Sequence, residues 1–180
     1  MKKYLPKLVF AVAVLLTISI VFLSCQRKDP TDILNSAMKA LNDKNYNEAI
    51  EYFNKAIEMY PYFAEPYFFR ATTYFRMKNY EEAIADFTRC VKYDPSHAEA
   101  YYWRGEVYYH LEDYSNAISN YTKAIELDPD NIYYYYSRGT TYYLRDRDDD
   151  FKKSIDDYRK GCELGDNDSC KALKDLLDLR

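Results

Sequence analysis

The chain has 180 residues, of which 48% are apolar and 30% charged, and this balance is that of a folded protein long enough for one domain. Its four glycines and six prolines leave few turns that need a positive φ, which argues against a hairpin-rich all-β protein and favours helices. The formal net charge is −4 with no basic stripe, which excludes nucleic acid as a partner.

Residues 1–24 have the pattern of an export signal. Three lysines and no acid precede an apolar run from Leu8 to Leu23, which is shorter than the roughly 20 residues of a membrane-spanning helix. The ending resembles a bacterial lipoprotein signal peptide, which implies that Cys25 becomes the lipid-modified first residue, although Phe22 stands where that family usually has leucine. The alternative is an uncleaved anchor with Cys25 an ordinary thiol. Both alternatives place the remainder in the cell envelope, outside the cytoplasm and at the surface of an inner or outer membrane.

Residues 25–30 are predicted to be a short tether between the membrane and the folded part. Gln26 to Pro30 spans at most about 17 Å when fully extended, so the domain is expected close to the bilayer. Without residues 1–24 the chain keeps 22 basic and 29 acidic residues, which is a net charge of −7.

Three segments recur at a spacing of 34 residues, a period typical of helix-turn-helix repeats. They are YNEAIEYFNKAIEMYP (46–61), YEEAIADFTRCVKYDP (80–95) and YSNAISNYTKAIELDP (114–129). In each segment, small, aromatic and small residues spaced by four and then three lie along one helical face, and a proline ends the helix. These positions are Ala49, Phe53, Ala56 and Pro61, then Ala83, Phe87, Cys90 and Pro95, then Ala117, Tyr121, Ala124 and Pro129.

The repeats resemble the tetratricopeptide repeat family over residues 30–165. The resemblance implies an all-α protein, a right-handed superhelical solenoid of about four repeats, at about 30–63, 64–97, 98–131 and 132–165. A helix at 166–180 is expected to cap the last repeat, with Ala172, Leu173, Leu176 and Leu177 on one face.

The fourth repeat reaches its second helix three residues late, after the acidic stretch DRDDD (146–150). This stretch lacks the glycine and the distal glutamate of a calcium loop, so no metal site is predicted. We expect a solvated turn in which Asp150 caps the following helix.

Two cysteines, Cys162 and Cys170, flank the predicted bend ELGDNDS, which can bring them within bonding distance. The segment KGCELGDNDSC also resembles the junction of Sel-type repeats, whose secreted members join adjacent helices with such pairs. A Cys162–Cys170 disulfide is therefore expected, the alternative being two reduced thiols. Cys90 takes the place of a core alanine and is predicted to be a buried small apolar residue.

Tyrosine and phenylalanine form two series on the first helix of each later repeat. One series is predicted to be core: Tyr67 and Tyr74, Tyr101 and Tyr108, Tyr135 and Tyr142. The second series stands about 100° further round each helix, and we call it the aromatic face: Phe68, Phe75, Tyr102, Tyr109, Tyr136 and Tyr143. The resemblance implies that this face lines the concave ligand groove, with Arg76 and Glu106 at its margins. The alternative is that the rings pack against each other and expose only their edges.

Family members that bind chaperones hold a carboxylate tail with lysine and asparagine on this face. Here Phe68, Thr72, Tyr102, Glu106 and Tyr136 occupy those places, so an extended, partly apolar or basic peptide fits better. The predicted function is a membrane-anchored scaffold that binds another protein. A structural subunit of an envelope assembly machine and a glycan- or peptidoglycan-binding module are the alternatives.

Catalysis is not predicted, because no nucleophile stands beside a base and no phosphate loop or metal-ligand spacing occurs. No cofactor is expected, and the oligomeric state stays open. Arg70, Arg104 and Arg138 recur at the repeat spacing, and we expect them to pair with carboxylates such as Asp86 and Asp157, with anion binding as the alternative.

Overall fold

The computed structural model describes residues 30–178, and every regular element in that range is an α-helix. The predicted signal peptide, the lipidation site Cys25 and the tether before Pro30 lie outside the described residues. No helix within residues 30–178 is long and apolar enough to cross a membrane. The helices are α1 (Pro30–Asn42), α2 (Tyr46–Met59), α3 (Ala64–Arg76), α4 (Tyr80–Tyr93), α5 (Ala98–His110), α6 (Tyr114–Leu127), α7 (Ile132–Arg145), α8 (Asp150–Glu163) and α9 (Asn167–Asp178).

The helices pack as consecutive antiparallel pairs. The most extensive contacts join α1 to α2, α3 to α4, α5 to α6 and α7 to α8, each pair packs on the next, and α9 packs on α8. Because each helix contacts mainly its neighbours in the chain, the architecture is a solenoid, and the predicted all-α fold class is confirmed.

Close packing within each pair depends on a small residue in the first helix opposite a ring in the second. A Cβ added to Gly105 would lie 2.7 Å from Cε1 of Tyr121, which is fully buried. Ala71 has no exposed surface and packs in the same cluster as the buried ring of Phe87. The repeated pattern of small and aromatic residues therefore forms a continuous core through the stack.

The turn inside each repeat contains a non-glycine residue in the left-handed region. These residues are Lys44, Lys78, Glu112 and Asp146, with φ of 60°, 63°, 58° and 46°. In the first three repeats the next backbone N–H donates to a carbonyl of the preceding helix, as from Asn79 to Tyr74 at 2.9 Å. Positive φ angles are few among residues 30–178, as the scarcity of glycine predicts, but four of the five belong to charged residues and only Gly165 is a glycine.

Arginines join each repeat to the preceding one. Arg138 donates from Nε and Nη2 to Asp157 of its own repeat, at 2.8 and 2.7 Å, and from Nη1 to Thr122 of the preceding repeat at 3.0 Å. Arg70 makes the equivalent bonds to Asp86 and Asn54. The predicted pairs with Asp86 and Asp157 are confirmed.

The acidic turn of the fourth repeat is built around a buried ion pair. Asp150 is 1% exposed and accepts two 2.7 Å hydrogen bonds from Arg145, together with one from the backbone N–H of Arg147. Asp149 is the N-cap residue, so the prediction that Asp150 caps the helix from a solvated turn was wrong. The carboxylate lies inside because Arg145 compensates its charge.

A disulfide joins Cys162 to Cys170, whose Cα atoms are 4.6 Å apart, and it ties α9 to the end of α8. Leu176 is buried against Ile155 and Tyr158 of α8. Leu177, predicted to lie on the packed face, is 51% exposed, because the face of α9 that packs on α8 carries Ala172, Leu173 and Leu176 instead. Cys90 is free and buried, as predicted, and burial raises its pKa to about 12.

Candidate functional site

The aromatic face runs across α3, α5 and α7, whose rings contact each other between repeats. Phe75 of α3 lies 5.8 Å from the ring of Trp103 in α5. Tyr102 of α5 lies 5.0 Å from the ring of Tyr134 in α7. The first helices of successive repeats therefore form one surface.

The end of the face nearest the amino terminus is covered. Phe68 is 7% exposed, and the imidazole of His97 stacks on it with ring centres 4.6 Å apart. His97 is the N-cap of α5, and its Nδ1 accepts a hydrogen bond from the backbone N–H of Ala100, which holds the ring in place. Phe68 was predicted to line the groove, and this prediction was wrong because the neighbouring cap residue closes over it.

The middle of the face is half covered. Phe75 lies 5.3 Å from the ring of His110 and is partly buried, whereas Arg76, at the end of α3, is exposed. Tyr102 is also partly buried and contacts the ring of Tyr121 at 5.8 Å.

The end nearest the carboxy terminus is open. Tyr136 is 37% exposed and Tyr143 is 46% exposed, while Tyr109 is partly buried. Exposure of the face therefore increases from α3 to α7, and the rings available to a ligand belong to the third and fourth repeats.

A recess of about 140 Å³ lies between α5 and α7 at this open end. Its lining consists of Glu106, Tyr109, Tyr121, Tyr136, Ser137 and Thr140. Oε1 of Glu106 accepts a 2.7 Å hydrogen bond from the hydroxyl of Tyr121, and Glu106 belongs to no ion pair within residues 30–178. The recess therefore combines aromatic rings with a carboxylate that no basic side chain neutralises.

The hydroxyls of Tyr102 and Tyr121, beside Glu106, stay neutral at physiological pH. Burial, reinforced by the charge of Glu106, raises the pKa of Tyr102 to about 12. The same two causes raise the pKa of Tyr121 still further. These groups can donate hydrogen bonds but cannot act as bases, and no group of residues 30–178 could hold a metal ion. The arrangement is suited to binding.

Sequence reasoning missed Tyr121, Ser137 and Thr140 as residues of the recess. A signal was present, because the core position that holds Phe53 and Phe87 in the first two repeats holds Tyr121 and Tyr158 in the last two. The added hydroxyls reach Glu106 and Thr140, the latter at 3.0 Å from Tyr158. A change from phenylalanine to tyrosine at a repeated core position thus marks where the core reaches the aromatic face.

Three family models described as tetratricopeptide repeat match residues 40–85, 70–132 and 120–170. Together they run without a gap from residue 40 to residue 170. No curated protein matches the chain.

Solved structures share the fold. One described as MamA 41-end from Desulfovibrio magneticus RS-1 is 25% identical, with a TM-score of 0.69 and 77% of each chain covered. A MamA RS-1 ArsTM double mutant is 24% identical, with a TM-score of 0.70 over 80% of this chain and 79% of that one. The first TPR of Spaghetti (RPAP3), bound to HSP90 peptide SRMEEVD, is 25% identical, with a TM-score of 0.63 over 64% of this chain and 92% of that one.

Proposed function

Because the chain belongs to the tetratricopeptide repeat family, we propose that it is a non-catalytic scaffold that binds an extended segment of another protein along the open end of the aromatic face. The observation that carries this proposal is the recess between α5 and α7, where the rings of Tyr109, Tyr121 and Tyr136 surround the carboxylate of Glu106, which forms no ion pair within residues 30–178. Tyrosine offers a large contact area and loses little conformational entropy on binding, which suits it to recognition.

The chemistry of the recess favours a basic side chain in the bound segment. A lysine or arginine entering it would meet the carboxylate of Glu106 and the rings of Tyr109 and Tyr136, which attract cations through their faces. The HSP90 peptide SRMEEVD in the related structure is acidic by its sequence. Glu106 and the net negative charge of this chain disfavour a segment of that kind here.

We further propose that residues 1–24 are a lipoprotein signal peptide and that Cys25 carries the lipid, which would hold the scaffold in the cell envelope at a membrane surface. The Cys162–Cys170 pair fits an oxidising compartment of that kind. Labelling cells with a palmitate analogue tests this, since the label should enter the wild-type chain and not the Cys25→Ser variant. Equal labelling of both would contradict it.

The binding proposal is tested by photo-crosslinking the full-length protein in its own membrane fraction and identifying captured proteins by mass spectrometry. The Tyr109→Ala/Tyr136→Ala variant should capture at least about tenfold less of the partner, since tyrosines that a partner covers are typical hot spots of an interface. Tyr62→Ala is the matched control, because Tyr62 is a 79% exposed tyrosine in the turn between α2 and α3, away from the open end of the aromatic face.

The alternatives predict different outcomes of the same experiment. A structural subunit held by other surfaces would keep its partner in the double variant. A glycan-binding module would lose capture when soluble peptidoglycan fragments are added. Competition by a lysine-rich synthetic peptide, weakened by Glu106→Gln, would support the protein segment.

A further inference from the structure

Arg104 differs from the equivalent arginines of the neighbouring repeats because it has no carboxylate partner among residues 30–178. Arg70 and Arg138 each donate two hydrogen bonds to an aspartate of their own repeat. At the equivalent place the third repeat has Asn120, whose amide oxygen accepts a single 2.8 Å bond from Nε of Arg104. An amide satisfies a donor but leaves the positive charge without a counter-charge.

The remaining donors of Arg104 are only partly used. Its Nη1 donates to the hydroxyl of Thr88 at 3.1 Å, and within residues 30–178 no hydrogen bond leaves Nη2. Burial lowers the pKa of Arg104, whereas at Arg138 burial is outweighed by the hydrogen bonds and charge of Asp157, which raise the pKa. The third repeat therefore carries a partly buried cation without the carboxylate that compensates Arg70 in the second repeat and Arg138 in the fourth.

A recess of about 400 Å³ adjoins this uncompensated guanidinium. Lys123 supplies a second cation to its lining and Ser119 an exposed hydroxyl. Glu126 also lines the recess and pairs with Lys123 at 2.8 Å, but both side chains are about half exposed, so water screens that pair and Lys123 can reorient.

We propose that this recess binds an anionic oxygen group, a carboxylate or a phosphate, which supplies beside Asn120 the negative charge that Asp86 and Asp157 supply in the adjacent repeats. The donors that Arg104 leaves free, on Nη2 and the second N–H of Nη1, would bond oxygens of the ligand, while Lys123 and Ser119 complete the site. The site is separate from the aromatic face, because Arg104 lies two residues and about 200° round α5 from Tyr102. It does not depend on the proposed peptide binding.

Asn120→Asp is the decisive variant, because it would introduce the carboxylate found in the second and fourth repeats and neutralise Arg104 from within the protein. The full-length protein is titrated with sodium phosphate and with sodium acetate at constant ionic strength, and binding is followed by calorimetry and by the thermal midpoint. Wild type should show saturable binding and a rising midpoint. Asn120→Asp should bind at least about tenfold more weakly and have a higher midpoint without added anion.

Lys152→Gln is the control for net charge, since it removes one positive charge at an exposed position on α8 in another repeat. It should respond to both anions like wild type. Arg104→Gln, with its fold checked by circular dichroism, should lose binding as Asn120→Asp does. A response to phosphate alone identifies a phosphate site, and an equal response to acetate identifies a carboxylate site. No response of wild type, or an equal response of Asn120→Asp, overturns the proposal.

Discussion

Arg138 and Asp157 form a bidentate pair, with hydrogen bonds of 2.8 and 2.7 Å to the two carboxylate oxygens. The side chains are only 17% and 8% exposed, so water screens the pair little. One residue before Asp157, Asp156 forms an ion pair with Arg159 in which both side chains are more than half exposed. The same helix thus presents a buried and an exposed pair for direct comparison.

Asp157→Asn is expected to lower the free energy of unfolding by about 2–3 kcal/mol, because it leaves Arg138 as a buried charge without its counter-charge. Asp156→Asn should change it by at most about 1 kcal/mol. Urea unfolding followed by circular dichroism measures both. Equal losses in the two variants would contradict the importance of burial.

Asp150 is expected to make stability depend on pH. Hydrogen bonds from Arg145 hold the pKa of this carboxyl below its ordinary value, against the opposing effect of burial. The unfolded chain therefore takes up the proton first, so this stabilisation is complete above about pH 4 and is lost as the pH falls through the folded pKa. The gap in unfolding free energy between wild type and Asp150→Asn should shrink below about pH 4. Asp148→Asn, at an exposed position, should show no such trend.

Glu112→Gly is expected to stabilise the protein. Glu112 is exposed and has a φ of 58°, where a side chain is strained and glycine is not. The variant relieves that strain but adds conformational entropy to the unfolded chain. The net effect should raise the free energy of unfolding by about 0.5–1 kcal/mol. Glu51→Gly, at an exposed position inside α2, should instead cost about 1 kcal/mol. Urea midpoints compare the two, and destabilisation by Glu112→Gly would refute the turn geometry.

Loss of the Cys162–Cys170 disulfide is expected to loosen α9. A disulfide that closes a loop of this length contributes about 2–3 kcal/mol to the free energy of unfolding. Within residues 30–178, the extensive contacts of α9 are all with α8. In Cys170→Ser, amide hydrogen exchange should rise across residues 167–178 and stay unchanged in α4. Cys90→Ala, which leaves the disulfide intact, should not raise exchange in α9.

Most of the fold could be predicted from the 34-residue period of the sequence. Residues that recur every 34 positions indicated which helices pair. The same period predicted the correct carboxylate partners of Arg70 and Arg138, because residues at equivalent positions of the repeats have similar surroundings. The same logic failed at Arg104, since a single change to Asn120 alters the charge balance of one repeat without changing its backbone.

The spacing of residues in the sequence could not predict which rings of the aromatic face are covered. Helical periodicity gives the direction of Phe68 and Tyr136 from the helix axis, and both point to the same face. Whether a ring is open depends on what the next repeat places above it. His97 covers Phe68, whereas Tyr136 stays 37% exposed.

The hydrogen bonds that Arg70 and Arg138 make between repeats affect how the stack of helices unfolds. Arg70 holds Asn54 of the repeat before it and Asp86 of its own, and Arg138 does the same with Thr122 and Asp157. If one repeat unfolded, an arginine shared with the neighbouring repeat would lose part of its hydrogen bonds. A boundary between folded and unfolded segments therefore costs much free energy. Such coupling favours a single cooperative transition over gradual fraying from either end.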